Sequence, residues 1–458
     1  MNLNPLYNIL PAYMQNIVCS VQGKILKRQR YNGLFNDLLG RLSVSQWEDE
    51  AQIKSYKEIE LEKILNTCYK YIPYYGLTFN KAGVTPKDFK SLEDIQKYPI
   101  LEKEEIRNNW KLLVNSNYPK DKLVHSHTSG STGKALDFYL TTESIPFQWA
   151  VWWRFRQRYG ISFGDKHLNF TGKLVVPIHQ TKPPFWRINY PLNQWLVNMQ
   201  HINSLKVPYI VQMINREGFT FFSGYPSIIS SFCSIVKELD LKITRPPKIV
   251  FSGAEKLFIH QKELIEEVLG CKVTDHYGFS EGAGNASRCT SGLYHEDYEF
   301  GNLECFNPKN EKEGLNSGEI LATGFSNYGM PLLRYRVGDT AIWSGNKCSC
   351  GLHSSVISDI EGRSEDFVIT PEGTKILRFD YLFKDTKTIK ECQIIQKEIS
   401  SIIFRIVKRD SYKYEIENHL KSLVKQWISP SLTIHFEYVE EIERTKSGKF
   451  RAVISELK

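Results

Sequence analysis

HTSGSTGKALDFYLT, His127 to Thr141, packs glycine, serine and threonine into one short turn and follows them with Lys134. Glycine lets backbone N–H groups come close to phosphate oxygens, hydroxyls add donors, and a lysine adds a point charge. Ser129, Gly130, Ser131, Thr132, Gly133 and Lys134 therefore read as a phosphate-binding loop. It is not a Walker A loop, because Thr128 and Ala135 stand where that motif needs Gly and then Ser or Thr. By itself the fragment also reads as a plain polar loop, so its surroundings decide.

Downstream of it, apolar runs alternate with helical patterns. Residues 219–239, FTFFSGYPSIISSFCSIVKEL, read as strand, turn and helix, and KIVFSGAEKL (248–257) and CKVTDHYGFSE (271–281) add further strands. Apolar strands that end in small or catalytic-type residues before helices predict an α/β sheet with its site at the strand ends. From Gly301 to Trp343 the pattern becomes β-rich, with GEILATGF and PLLRYRVGDTAIW. A small α+β unit follows: IIQKEISSIIFRIVKR as a strand or hairpin, IENHLKSLVKQWI as a helix, LTIHFEYVEEI as a strand. Upstream, Ile59, Leu61, Ile64, Leu65 and Cys68 recur at helical spacing. SLEDIQKYPILEKEEIRNN (91–109) reads as a helix, a turn at Pro99, and a capped helix. The resulting organisation is an α/β chain with a β-rich subdomain: a helical arm over 1–110, a core over 111–363, and a small α+β domain over 364–458.

Four further motifs carry chemistry. In DHYGFSEGAG (275–284), Tyr277 and Gly278 could lie against a base, and Glu281 could hold Mg²⁺, which favours carboxylates together with substrate phosphates. In YRVGDTA (335–341), Asp339 after a tight Gly turn suits a pair of ribose hydroxyls. In EGRSEDFVI (361–369), Arg363 could contact ribose or phosphate, and Glu365 marks the start of the small domain. In ERTKSGKFRAVIS (443–455), Lys449 at a loop tip could carry an ammonium into the site and stabilise charge developing on a carboxylate and an α-phosphate. Each alone is compatible with an ordinary turn, and the last with a solvated basic tail.

In this order and spacing the motifs resemble the adenylate-forming ligases: acyl-CoA synthetases, peptide-synthetase adenylation domains and luciferases. SLEDIQKYPILEKEEIRNN, FSGYPSII, SGAEKL and the Cys-x-Cys-Gly run are similar to the phenylacetate–CoA ligase branch, which includes capsular-polysaccharide biosynthesis proteins. The resemblance implies a large multi-subdomain adenylation domain followed by a small mobile one. It also implies two half-reactions: attack of a carboxylate on ATP with loss of pyrophosphate, then acyl transfer to CoA, a carrier protein thiol, or a sugar. It assigns the phosphate loop to Ser129–Lys134 and places Ser252, Gly253, Ala254 and Glu255 beside the adenine and acyl pocket. Tyr277 lies against adenine, Glu281 binds Mg²⁺, Asp339 and Arg363 hold ribose, Glu365 is the hinge, and Lys449 is the adenylation lysine. Glu365 departs from the family's usual Asp or Lys, and Ala135 from its usual Pro. An inactive adenylate-binding scaffold is the competing reading, and the joint presence of Glu281, Asp339 and Lys449 argues against it.

Cys289 and His295 form a Cys-x5-His pair, and Cys348 and Cys350 a Cys-x-Cys pair. Two loops supplying four such ligands can close a tetrahedral structural zinc site. His353 could replace His295, and reduced structural thiols are the alternative.

Composition narrows the remaining classes. A chain of 458 residues is too long for one compact core. Its 41% hydrophobic and 24% charged residues match a soluble globular protein and exclude disorder. The net charge of +8 is spread along the chain instead of clustered, which argues against nucleic acid as a partner. No apolar run reaches the roughly 18–20 residues that span a bilayer. The N-terminus lacks the basic start of a signal peptide. The expectation is a cytoplasmic protein without stable membrane insertion, taking a small carboxylic acid, with an arm that could support a homodimer.

Overall fold

A computed structural model describes residues 5–127, 136–312, 314–363, 368–371, 375–376, 379, 382, 388–444 and 450–457. The expectations for Ser129–Lys134, Glu365 and Lys449 lie outside the described residues.

The arm is helical: α1 (Pro5–Ile9), α2 (Ala12–Arg30), α3 (Gly33–Ser45), α4 (Glu50–Tyr71), α5 (Pro73–Ala82) and α6 (Lys103–Asn109). Helix α4 starts at a capping box, in which the Asp49 side chain accepts from Gln52 N while the Gln52 side chain accepts from Asp49 N. Its buried stripe is Ile53, Leu61, Ile64, Leu65 and Cys68, whereas Ile59 faces solvent and drops out of the expected set. The expected first helix of 91–109 is a 3₁₀ turn, Leu92–Lys97. Leu101 then bridges to Tyr335, which anchors the arm on the strand that carries Asp339.

Next come the hairpin β1 (Leu123–His127) and β2 (Asp137–Thr141), helix α7 (Ser144–Gln157), and strands β3 (His167–Thr171), β4 (Arg187–Asn189) and β5 (Gln194–Asn198). Helices α8 (Val207–Glu217), α9 (Pro226–Glu238) and α10 (Ile259–Leu269) alternate with β6 (Phe221–Gly224), β7 (Ile249–Ser252) and β8 (Lys272–Gly278). Strands β9 (Asn285–Arg288), β10 (Tyr294–Glu296), β11 (Gly301–Lys312), β12 (Leu315–Gly324), β13 (Tyr335–Ser344) and β14 (Val356–Arg363) complete a 12-stranded sheet, in the order β11-β12-β13-β14-β10-β9-β8-β7-β6-β3-β5-β4.

That sheet has two characters. From β5 to β8 it is parallel, with β4 antiparallel at the edge. From β8 onward every pairing is antiparallel. The parallel half is covered on one face by α8, α9 and α10, through Phe222, Ile229, Val250 and Ile265. The other face is covered by α3 and α7, through Phe35, Phe155, Phe221 and Phe251. Burial on both faces explains why FTFF and KIVF read as unbroken apolar runs. The antiparallel half packs on α4 and α5 through Leu61, Phe79, Ile320 and Tyr335.

Buried ion pairs fix α7 to the β10–β11 connection. Arg154 reaches Asp297 and Glu299, each at 2.6 Å, with all three side chains almost fully buried. Removing one partner from such a set costs about 3–5 kcal/mol, because the others stay buried without compensation.

The small unit holds β15 (Val368–Ile369), β16 (Lys375–Ile376), β17 (Ile389–Glu398), β18 (Ser401–Lys408), helix α11 (Glu415–Trp427), β19 (Thr433–Tyr438) and β20 (Val453–Ser455). Its main sheet runs β19-β18-β17-β20, and Leu420 and Val424 of α11 pack on Ile394, Ile402 and Phe404.

Candidate active site at the strand ends

In an open α/β sheet, ligands bind beyond the carboxyl ends of the parallel strands, where the strand order reverses. Here β6, β7 and β8 end on Gly224, Ser252 and Gly278, and Gly253 N donates to the Gly224 carbonyl at 3.3 Å. A Cβ at Gly253 would stand 2.9 Å from the His276 ring, so only glycine fits there without displacing it. The next residue, Ala254, holds φ at +66°. That left-handed backbone costs a non-glycine residue roughly 1 kcal/mol, and such strain clusters at functional sites.

Glu255 completes this loop. Its Oε1 accepts from Phe450 N at 2.6 Å, and its Oε2 from Ser227 N at 3.3 Å. Burial pushes its carboxyl pKa up. Phe450, the residue after Lys449 in the chain, thereby ties the small domain to the loop that follows β7.

At β8 the tyrosine of the DHYG motif does more than present a ring. Tyr277 donates its hydroxyl to Asp339 Oδ2 at 2.7 Å. Burial first, and Asp339 second, raise the Tyr277 pKa well above its ordinary value, so it stays a donor. Asp275 of the same motif is structural: it accepts from Arg288 Nε at 2.5 Å and from the Tyr294 hydroxyl.

The expected Gly turn before Asp339 is a bulge inside β13. Its register against β12 shifts between Leu321↔Arg336 and Glu319↔Thr340, and Gly338 takes φ +86° there. The bulge re-aims Asp339 without ending the strand. Asp339 is the direct cross-strand partner of Arg363 on β14, so the structure brings both ribose-holding candidates together. Glu281 is buried and accepts from the Tyr335 hydroxyl at 3.0 Å. Sequence reasoning gave Tyr335 no role, although it opens the quoted YRVGD motif.

Cys289, His295, Cys348 and Cys350 do converge, with all ligand atoms within 4.8 Å of one another. Cys289 Sγ and Cys348 Sγ are 3.7 Å apart, and Cys350 Sγ lies 3.3 Å from His295 Nε2. Tetrahedral zinc with bonds of about 2.3 Å holds sulfurs about 3.8 Å apart. His295 Nδ1 lies 3.2 Å from the Ser354 carbonyl, which orients the ring with Nε2 toward the sulfurs. Of the two histidines considered, His295 is the one in this cluster.

Residues 368–456 match the model of the CapK C-terminal domain. Over its full length the chain is 28% identical to protein CapK of Staphylococcus aureus, covering 100% of each. It is 22% identical to the phenylacetate-coenzyme A ligase of Thermus thermophilus, over 88% of this chain and 96% of that one. Among solved structures, 2-hydroxyisobutyryl-CoA ligase in its postadenylation state superposes with a TM-score of 0.69 at 17% identity, covering 89% and 90% of the two chains. The same ligase in its thioesterification state gives 0.54. The chain therefore has the fold of adenylate-forming ligases, and its homologues are CapK and the phenylacetate–CoA ligases. Among the described residues no helix is long and apolar enough to cross a membrane.

Proposed function

We propose that this protein activates a carboxylic acid with ATP, releasing pyrophosphate, and passes the acyl group from the adenylate to an acceptor. The observation that supports this reading is that Tyr277 of one motif holds Asp339 of another, and Asp339 stands in cross-strand register with Arg363 of a third. Asp339, held by Tyr277, is suited to accept from ribose hydroxyls. Arg363 stands beside it in register. Glu281 offers the hard oxygen ligand that Mg²⁺ takes together with substrate phosphates. Ser129–Lys134 are assigned to the phosphates by their composition and by the family resemblance. Lys449 is assigned to the charge that develops on the carboxylate and α-phosphate as the bond forms.

For the acceptor, the likeness to phenylacetate–CoA ligases supports CoA. The likeness to CapK supports a sugar or carrier in cell-surface polysaccharide biosynthesis, in the cytoplasm. The cysteine–histidine cluster fits a structural zinc ion that would hold two loops together and take no part in the reaction.

ATP–pyrophosphate exchange across aryl, fatty and amino acids tests the first half-reaction. Exchange should depend on one class of acid, and Lys449→Ala should lose most of it while still folding and binding ATP. Absence of exchange with every acid would defeat the proposal.

A further inference from the structure

A cavity of about 280 Å³ opens where β3 and β6 lie side by side, under α2 and α7. Asn169 of β3 and Ser223 of β6 form part of its wall and share a hydrogen bond of 2.8 Å. This is the point where the strand order reverses, and Ser223 is one residue short of the strand end at Gly224. The cavity is lined by the cations Lys27, Arg30 and Arg156, and by no Asp or Glu. Its apolar walls include Trp149 and Trp153.

Arg156 is the unusual group. Its neighbours in the chain are matched to carboxylates: Arg154 of α7 to Asp297 and Glu299, and Arg158, just past the helix, to Asp297. The Arg156 guanidinium instead lies 4.7 Å from the Trp153 ring centroid and 5.4 Å from that of Phe221. Among the described residues it has no hydrogen bond or ion pair. Burial pushes its pKa down to about 10. Arg30 stacks on Trp149 at 4.2 Å beside it. A guanidinium half-buried among aromatic rings without a counter-charge is costly, and an anion entering the cavity removes that cost. Stacking on aromatic faces leaves the edge N–H groups of arginine free for bidentate bonds to carboxylate, phosphate or sulfonate.

The position separates this anion from the carboxylate that reacts. Phe221 begins β6 and Gly224 ends it. The guanidinium also lies 5.7 Å from the ring of Phe251, one residue before the end of β7, so at about 3.3 Å per residue Arg156 sits roughly 3–10 Å back from the strand ends.

We propose that the cavity binds an anionic group, a carboxylate, phosphate or sulfonate, at the far end of an organic substrate of this enzyme, with Arg156 as its main partner. This rests on the acyl-adenylate reading for what the substrate is used for, but not for the binding itself. The anion belongs either to the acid or to the acceptor.

Calorimetric titration of the full chain, without ATP, with α,ω-dicarboxylates of increasing length and with monocarboxylates of matched length tests the site. At one length the dicarboxylate should bind at least about tenfold more tightly, roughly 1.4 kcal/mol. Arg156→Met should abolish that gap and leave monocarboxylate binding unchanged. Arg156→Gln gives the same readout if the methionine variant does not fold. Equal binding within every matched pair, or a gap that survives both substitutions, overturns the proposal. Exchange supported by the dicarboxylate places the anion on the acid. Exchange supported only by monocarboxylates, with the dicarboxylate bound but not activated, places it on the acceptor. Arg156-dependent binding without exchange from any acid would defeat the adenylation reading and leave the anion site standing.

Discussion

Tyr277 and Tyr335 each aim a carboxylate, Asp339 and Glu281, from the protein side. A phenol is a suitable group for this. It donates without bringing a positive charge that would compete with ribose or a metal for the same oxygens. Titration matters at a different residue. His167 is buried and stacks on Phe221 at 4.6 Å. Burial, and then nearby Arg156, push its pKa from 6.5 down to about 3. Between those values the unfolded chain holds a proton that the folded chain does not. His167 therefore favours the fold fully above pH 6.5, and the contribution drains away as pH falls toward 3. From pH 6.5 to 5 the loss is about 2 kcal/mol. Urea unfolding measured across that interval should show the decline, and His167→Gln should make it shallower. An equally steep decline in the variant would assign the acid sensitivity elsewhere.

At the scale of elements, the cysteine–histidine cluster joins two connections. Cys289 and His295 bracket the β9–β10 turn, and Cys348 and Cys350 lie between β13 and β14. Because β14 pairs with both β10 and β13, a metal there would lock the register that places Arg363 opposite Asp339. Protein purified without chelator should carry zinc. Its removal, or Cys350→Ser, should lower Tm by roughly 5 °C or more. Metal-free protein with an unchanged Tm would reduce the cluster to packed thiols. The cluster was legible in the sequence because its ligands come in close pairs. The strands ending at Gly224, Ser252 and Gly278 were legible for a similar reason, since burial on both faces leaves continuous apolar runs. The bulge at Gly338 was not, because a glycine before an acid looks the same whether the strand stops or continues. Arg156 was not legible either. Three arginines alternate at 154, 156 and 158, across the end of α7. Only the packing against Asp297, Glu299, Trp153 and Phe221 separates the two that are matched from the one that is not.

For the whole molecule, the decisive variable is where the small domain sits. One contact that fixes its position is the bond from Phe450 N to Glu255 Oε1. A second contact, Arg409 to Glu238 at 3.1 Å, joins the same two bodies at the end of α9. On the proposed two-step reaction, an acceptor-transfer arrangement reached by rotating the small domain would break both. The Arg409 pair is exposed and worth little. The Glu255 bond is short, charge-assisted and partly buried, so it is the stronger of the two. Glu255→Gln keeps the shape and removes the charge. A loss of about 1.5 kcal/mol would slow adenylation roughly tenfold. Transfer from adenylate supplied ready-made, which on that reading takes place in the rotated arrangement, should change much less. Measuring pyrophosphate exchange and single-turnover acyl transfer on the same variant separates the two. If both steps fall together, Glu255 acts within the adenylate pocket itself and the domain position is set elsewhere.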